Sequence, residues 1–274
     1  MKRDAVLAAF RHQKGPHLPY QVEMTREIKT RLCSRVGVAE LDFGSWVGNY
    51  CEKVDIGETG VLNARGMYTD DFGVAWDRSG LDKDIGTIHN PILGEPVLGA
   101  YKFPVADTER ARALLKAEAN IPAGRAVFAK IGTTLFERAW SLTGFENFLM
   151  YLAVEQDFAR EVLRNVCDHR LALVEAVLDL PFQGFYFGDD YGQQTGTLFS
   201  PETFRTVIKD ELARLFAPVR AAGKLVVLHS CGNILTFLDD LVEIVLDGYQ
   251  TVQPEEIGRR RVGKECRSRW SPYH

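Results

Sequence analysis

Along the chain, short runs of consecutive apolar residues alternate with longer stretches in which apolar positions recur every three to four residues. Arg125–Ile131 (RAVFAKI), Gly184–Gly188 (GFYFG) and Lys224–Leu228 (KLVVL) have the continuous apolar character of strands buried on both faces, and Gly248–Gln253 (GYQTVQ) starts one more. Between them, Phe145 to Leu180 is helical in pattern. Phe145, Phe148, Leu149 and Leu152 share one face, Val162, Leu163 and Val166 follow, and Asp157 is expected to cap a second helix in the stretch. Ser200-Pro201-Glu202 opens a helix: Ser200 as N-cap, Pro201 at the first position and Glu202 at the positive end. Its apolar stripe runs from Phe204 to Val219, and Gly223 ends it. A further helix is predicted from about Ile234 to Leu246. Near the start, His17–Val22 reads as a short first strand after an N-terminal helix. Residues 40–100 are aromatic, Gly-rich and irregular, and no second strand is placed there.

Strands alternating with helices predict parallel βαβ units, hence an α/β fold. The 274 residues suffice for a (β/α)8 TIM barrel, which takes about 250. Six strands at most can be counted, about two short of the eight such a barrel closes with. Asp189-Asp190, His229 with Cys231, and Gln253 all stand where a strand stops. In a barrel of this kind those places line the C-terminal mouth, where catalysis occurs.

Charge changes the picture at one end. Residues 256–274 hold six basic side chains and two acidic ones, which leaves the rest of the chain with a net charge of −8 out of an overall −4. That segment has no apolar periodicity and resembles the translation of an adapter oligonucleotide. The expected division is an incomplete barrel domain over 1–255 and a non-native tail over 256–274, so Cys266 and His274 are not offered as ligands. Turnover is accordingly expected of the complete barrel rather than of this chain. An acidic body gives no support for nucleic-acid binding. No window approaches the roughly 18 apolar residues of a membrane span, and the first ten residues lack the apolar core of a signal peptide, so a cytoplasmic location is expected. Five widely spaced cysteines (Cys33, Cys51, Cys167, Cys231, Cys266) suggest reduced thiols rather than a disulfide framework.

The strings GDDYGQQTGTLFSPETFR (188–205), GKLVVLHSCGNI (223–234) and VQPE (252–255) together resemble the uroporphyrinogen decarboxylase (URO-D) superfamily, as do YTDDFGVAW (68–76), LFERA (135–139) and GFE (144–146). That superfamily holds the decarboxylases and the corrinoid-linked thiol methyltransferases, and the resemblance implies a TIM barrel. The decarboxylases resemble one another in an Arg-rich N-terminal motif that binds substrate carboxylates. The corresponding stretch here, Pro19–Arg26 (PYQVEMTR), lacks those arginines, and a substrate with many carboxylates calls for bidentate guanidinium partners. The methyltransferase branch carries H-x-C at a strand end, with a further Cys late in the chain, binding zinc. His229-Ser230-Cys231 matches the first half of that pattern, which implies zinc, a small-molecule thiol and a corrinoid methyl donor, free or on a partner protein.

Imidazole and thiolate suit tetrahedral zinc. Residues i and i+2 can turn toward one ion only if the strand bends, which Gly232 allows. A bare H-x-C is equally compatible with a buried histidine beside a small cysteine. Asp189 and Asp190 are candidate catalytic carboxylates or substrate hydrogen-bonders; the plain alternative is a solvated turn. Arg138 and Asp71 are candidate substrate contacts, although Arg138 could simply pair with Glu137. Asp71 and Trp76 lie in the irregular region, which could form a lid. Gln253 is a candidate ligand contact or a strand-end polar group. Three activities are compatible with these residues: zinc-dependent methyl transfer from a corrinoid to a thiol; metal-free tetrapyrrole decarboxylation through Asp189 or Asp190; and non-catalytic binding of a corrinoid or tetrapyrrole.

Overall fold

The computed structural model describes residues 1–251 apart from 16, 58, 81–84, 89 and 120–123. Five parallel strands form one sheet in chain order: β1 (Cys51–Asp55), β2 (Ala126–Ile131), β3 (Gly184–Gly188), β4 (Leu225–His229) and β5 (Gly248–Gln250). Sequential parallel strands joined by helical crossovers are an arc of a (β/α)8 barrel. The apolar runs are continuous because both faces are covered. Val127, Ala129, Phe185, Phe187, Val226 and Leu228 point outward into one core with the crossover helices. Phe128 and Val227 point inward against Val6 and Phe10 of α1 (Lys2–Phe10). Toward the C-terminal ends the inner face turns polar: Asp55 and Lys130, which are in register, form an ion pair at 2.9 Å.

After β2 comes a helix, α2 (Phe136–Thr143), and the stretch from Phe145 is then two helices, as its pattern predicts, α3 (Phe145–Val154) and α4 (Gln156–Val177). Gly144, at φ 91°, breaks the first junction. Glu155, not Asp157, stands at the head of α4, and Asp157 instead pairs with Arg160 one turn on. Ser200 caps as its sequence predicts, accepting the Thr203 N–H at 3.0 Å. The helix it opens widens by one π turn over Phe204–Ile208 and continues as α5 (Lys209–Ala221), with Gly223 at φ 69° beyond it. The helix predicted from Ile234 is a 3-10 turn, Leu235–Phe237, leading into the short α6 (Leu238–Glu243).

His17–Val22 is not a strand, which accounts for five strands in the parallel sheet, among the described residues, where six are predicted. The stretch runs beside β1, but apart from one backbone bond, Tyr50 N–H to the Tyr20 carbonyl at 3.2 Å, side-chain amides take the place of a ladder. Asn49 bonds both the N–H and the carbonyl of Val22 (2.8 and 3.1 Å), and Gln21 accepts the Cys51 N–H at 3.2 Å. The irregular region contains β1 and then an antiparallel excursion, Gly60–Leu62, Met67–Asp70, Ala75–Asp77 and Thr87–Ile88. Among the described residues no helix is long and apolar enough to cross a membrane.

One buried ion pair fastens this excursion to the barrel. The Asp70 carboxylate accepts the N–H groups of Phe72 and Val74 (3.1 and 2.9 Å), the Trp76 indole N–H at 2.9 Å and the Arg138 guanidinium at 2.5 Å. Phe72 lies under two guanidinium groups, Arg138 at 4.5 Å and Arg170 at 5.1 Å. Arg170 in turn donates to the carbonyls of Gly57 and Thr133, beyond the ends of β1 and β2. The Arg138 and Asp70 side chains are only 2% and 1% exposed, so losing either leaves a buried charge without its counterion. Asp70→Ala is therefore expected to lower the unfolding free energy by about 3–5 kcal/mol. Chemical denaturation of the two proteins measures this, and a loss under about 1 kcal/mol would contradict the anchoring role.

Candidate active site

β3, β4 and β5 stop level with one another, because Gly188, His229 and Gln250 are register partners. Two backbone bonds carry the registry into the loops: Asp189 N–H to the His229 carbonyl at 3.0 Å, and Ser230 N–H to the Gln250 carbonyl at 2.8 Å. The segments that leave the strands thus lie side by side. The turn after His229 is sharp. Gly232 sits at φ 75°, and a Cβ there would come within 2.2 Å of the Gly192 carbonyl carbon, so only glycine fits. The Tyr249 hydroxyl pins this turn by donating to the Ser230 and Gly232 carbonyls (3.1 and 3.2 Å).

Asp190, His229 and Cys231 meet in this place. The His229 Nε2 is 3.5 Å from the Cys231 sulfur and 3.6 Å from the Asp190 Oδ1. One donor atom from each residue lies within 4.8 Å of the others, a spacing able to hold a metal ion. Asp190 is oriented by accepting the Cys231 N–H at 2.7 Å. The other face of His229 is held as well: its Nδ1 bonds the Gln250 side-chain oxygen, which also receives the Tyr186 hydroxyl.

A family model described as uroporphyrinogen decarboxylase (URO-D) matches residues 111–265. The chain belongs to the URO-D family. A methyltransferase from Methanosarcina mazei shares its fold, with a TM-score of 0.63 at 17% identity over 90% of this chain and 75% of that one. No curated protein sequence matches.

Within this URO-D chain the two adjacent aspartates have separate environments. Asp189 is fully buried and faces the head of α2. Its carboxylate accepts the N–H groups of Leu135, Phe136 and Glu137 (3.0, 2.9 and 2.7 Å) and the Tyr191 hydroxyl at 2.6 Å. These are the orphan donors of a helix N-terminus, which favour an anion. Asp190 alone reaches the cluster with His229 and Cys231. Arg138 is not beside it and does not pair with Glu137; it is the buried partner of Asp70. Asp71 lies on the excursion, 3.6 Å from the His169 Nε2, and Trp76 is buried with its indole N–H on Asp70. Gln253 lies outside the described residues. Two residues of this neighbourhood carry no sequence signal of their own. Gln250 becomes visible only through the strand register, and Glu137 only through the packing of α2 on the loop after β3.

Charge is crowded beneath the cluster. Burial pushes the Asp189 carboxyl up to about 6, against the pull of its donors. Burial, together with the negative charges of Asp189 and Asp190, holds the Glu137 carboxyl well above the usual carboxylate range. Of this coupled pair, Asp189 carries the charge at neutral pH and Glu137 keeps the proton. A carboxyl raised in the fold stabilises it fully only below its unfolded value, about 4.3, and loses that contribution as pH rises. Glu137→Gln mimics the protonated form and cannot ionise. In metal-free protein it is expected to gain stability relative to the parent as pH is raised from about 4 to 8. Denaturation midpoints across that range measure it; a difference that stays constant with pH refutes the assignment.

Proposed function

We propose that this URO-D family chain carries a zinc-dependent methyl-transfer site, with Asp190, His229 and Cys231 as the metal ligands, a thiol as acceptor and a corrinoid as methyl donor. The observation that supports this is the convergence of one carboxylate, one imidazole and one cysteine sulfur at adjacent strand ends. That donor set fits zinc, and three protein ligands leave the fourth tetrahedral position open, as catalytic zinc sites do. Asp190 thereby supplies the third ligand that His229 and Cys231 need. When bound there, zinc would lower the pKa of an incoming thiol and present it as a thiolate at neutral pH.

The chain's own residues supply position. The Gly232 turn brings Cys231 back toward His229, the Cys231 N–H orients Asp190, and Gln250 holds the far side of the imidazole. Cys231 is exposed, which leaves the cluster open to a methyl donor brought by a corrinoid or a corrinoid-carrying partner protein. That the Methanosarcina mazei neighbour is a methyltransferase agrees with this choice within the family. Tetrapyrrole decarboxylation is less well supported. The Asp189 carboxylate is spent on four hydrogen bonds away from the cluster, and Pro19–Arg26 lacks the arginines expected of a polycarboxylate site.

Metal binding tests the proposal. After chelation, the purified chain is expected to bind one equivalent of zinc, or of cobalt(II) with the absorption of a thiolate ligand. His229→Ala and Cys231→Ala should abolish binding, and Asp190→Ala should weaken it by at least about tenfold. Failure of the parent protein to bind either ion would overturn the proposal, as would binding that survives both His229→Ala and Cys231→Ala.

A further inference from the structure

We infer that Gln250 is a positioning residue that fixes the tautomer of His229, placing the ring hydrogen on Nδ1 and leaving Nε2 as a bare lone pair aimed at Asp190 and Cys231. This deepens the zinc proposal and takes its chemical meaning from it.

Imidazole in its neutral form has one N–H and one lone pair, and the hydrogen bond made by one nitrogen decides the role of the other. The His229 Nδ1 faces the side-chain oxygen of Gln250. An amide oxygen only accepts, so Nδ1 must donate. Nε2 is then the acceptor, and its neighbours are the Cys231 sulfur at 3.5 Å and the Asp190 Oδ1 at 3.6 Å. The Tyr186 hydroxyl donates to the same Gln250 oxygen. Tyr186 is itself held. Its ring is stacked beside His229 with centroids 6.2 Å apart, and the Lys53 ammonium lies 3.9 Å over it. Lys53 is fixed by an ion pair with Glu23 at 2.6 Å.

This run of contacts is also the wall of a cavity of about 270 Å³ on the inner face of the sheet, lined by Glu23, Lys53, Tyr186 and Gln250 above the apolar Phe128 and Val227. Gln250 therefore stands between this cavity and the back of the imidazole. A glutamine turned the other way would offer its NH2 to Nδ1, put the hydrogen on Nε2 and close the nitrogen to a metal ion. The orientation of one amide separates a metal-ready histidine from one that is not.

The test uses the metal-free chain labelled with 15N and the His229 ring nitrogens observed directly by NMR, with cobalt(II) and zinc affinities measured alongside. The parent protein is expected to show the Nδ1–H tautomer. Gln250→Leu should release it to a mixture or to Nε2–H and lower metal affinity by about 10–100-fold. Gln250→Glu, which keeps an accepting oxygen, should restore the tautomer and bring affinity back to within a few-fold of the parent. If Gln250→Leu does not fold, the parent spectrum and Gln250→Glu still decide the matter. An Nε2–H tautomer in the parent, or one unchanged in Gln250→Leu, overturns the inference. If the tautomer behaves as expected and the parent binds no metal, the zinc proposal fails and the role of Gln250 in setting the ring stands.

Discussion

Parallel register is the constraint on which the rest of this structure depends. In a parallel sheet every strand points the same way, so the segments leaving β3, β4 and β5 emerge on one side. Pairing of Gly188 with His229, and of His229 with Gln250, sets them at one level. Residues far apart in sequence are then brought within a few ångströms of one another with little help from side chains. Shifting β4 by one residue would send His229 to the outer face, among the helices, and bring Leu228 inward. The outward core of Phe185, Phe187, Val226 and Leu228 opposes that shift, because Val226 and Leu228 would lose their burial against the other two at once. The apolar core that builds the fold thus also sets the precision of the cluster.

The same alternation explains why two neighbouring aspartates do different work. Asp189 and Asp190 leave β3 with side chains on opposite sides. One turns outward to the head of α2 and closes the N–H groups there that the helix itself cannot satisfy; the other turns to the inner side and meets His229. Asp189 is an electrostatic cap made at long range, joining the loop after β3 to the helix after β2. Asp70 plays a comparable part for the excursion after β1, again by gathering backbone N–H groups and one buried guanidinium. Two buried carboxylates, each bonded several times over, thereby tie the loops beyond β1 and β3 to the sheet.

Legibility in the sequence follows from this division. RAVFAKI, GFYFG and KLVVL can be read as strands because burial on both faces leaves almost no polar residue to confuse the period. Ser200-Pro201 can be read as a helix start because capping is local. The placing of His229 and Cys231 at a strand end is equally legible, since it needs only the length of one apolar run. His17–Val22 is not: its pattern suits a strand, but Asn49 and Gln21 make the backbone contacts from the side, and only the folded chain reveals such a competitor. The partner of Arg138 escapes the sequence for a related reason. Glu137 is its neighbour along the chain, yet the counterion is Asp70, 68 residues away. Gln250, three residues before the Gln253 that the sequence singles out, acquires its part only from the register of β5 on β4.

Electrostatics link the acid cluster to the proposed chemistry. Asp189, Asp190 and Glu137 are crowded within one partly dry region, and the Arg138 guanidinium that offsets their charge is already committed to Asp70. Like charges that cannot separate settle by protonation, and Glu137 is the group that gives way, since the helix N–H groups favour charge on Asp189 over charge on Glu137. A divalent cation between Asp190, His229 and Cys231 would relieve the same crowding by adding positive charge instead. It would then bind with release of protons, part of them from groups outside its own ligand set. Crowded negative charge of this kind would favour a cation between Asp190, His229 and Cys231, whereas a proton on Glu137 relieves the same crowding without occupying that place.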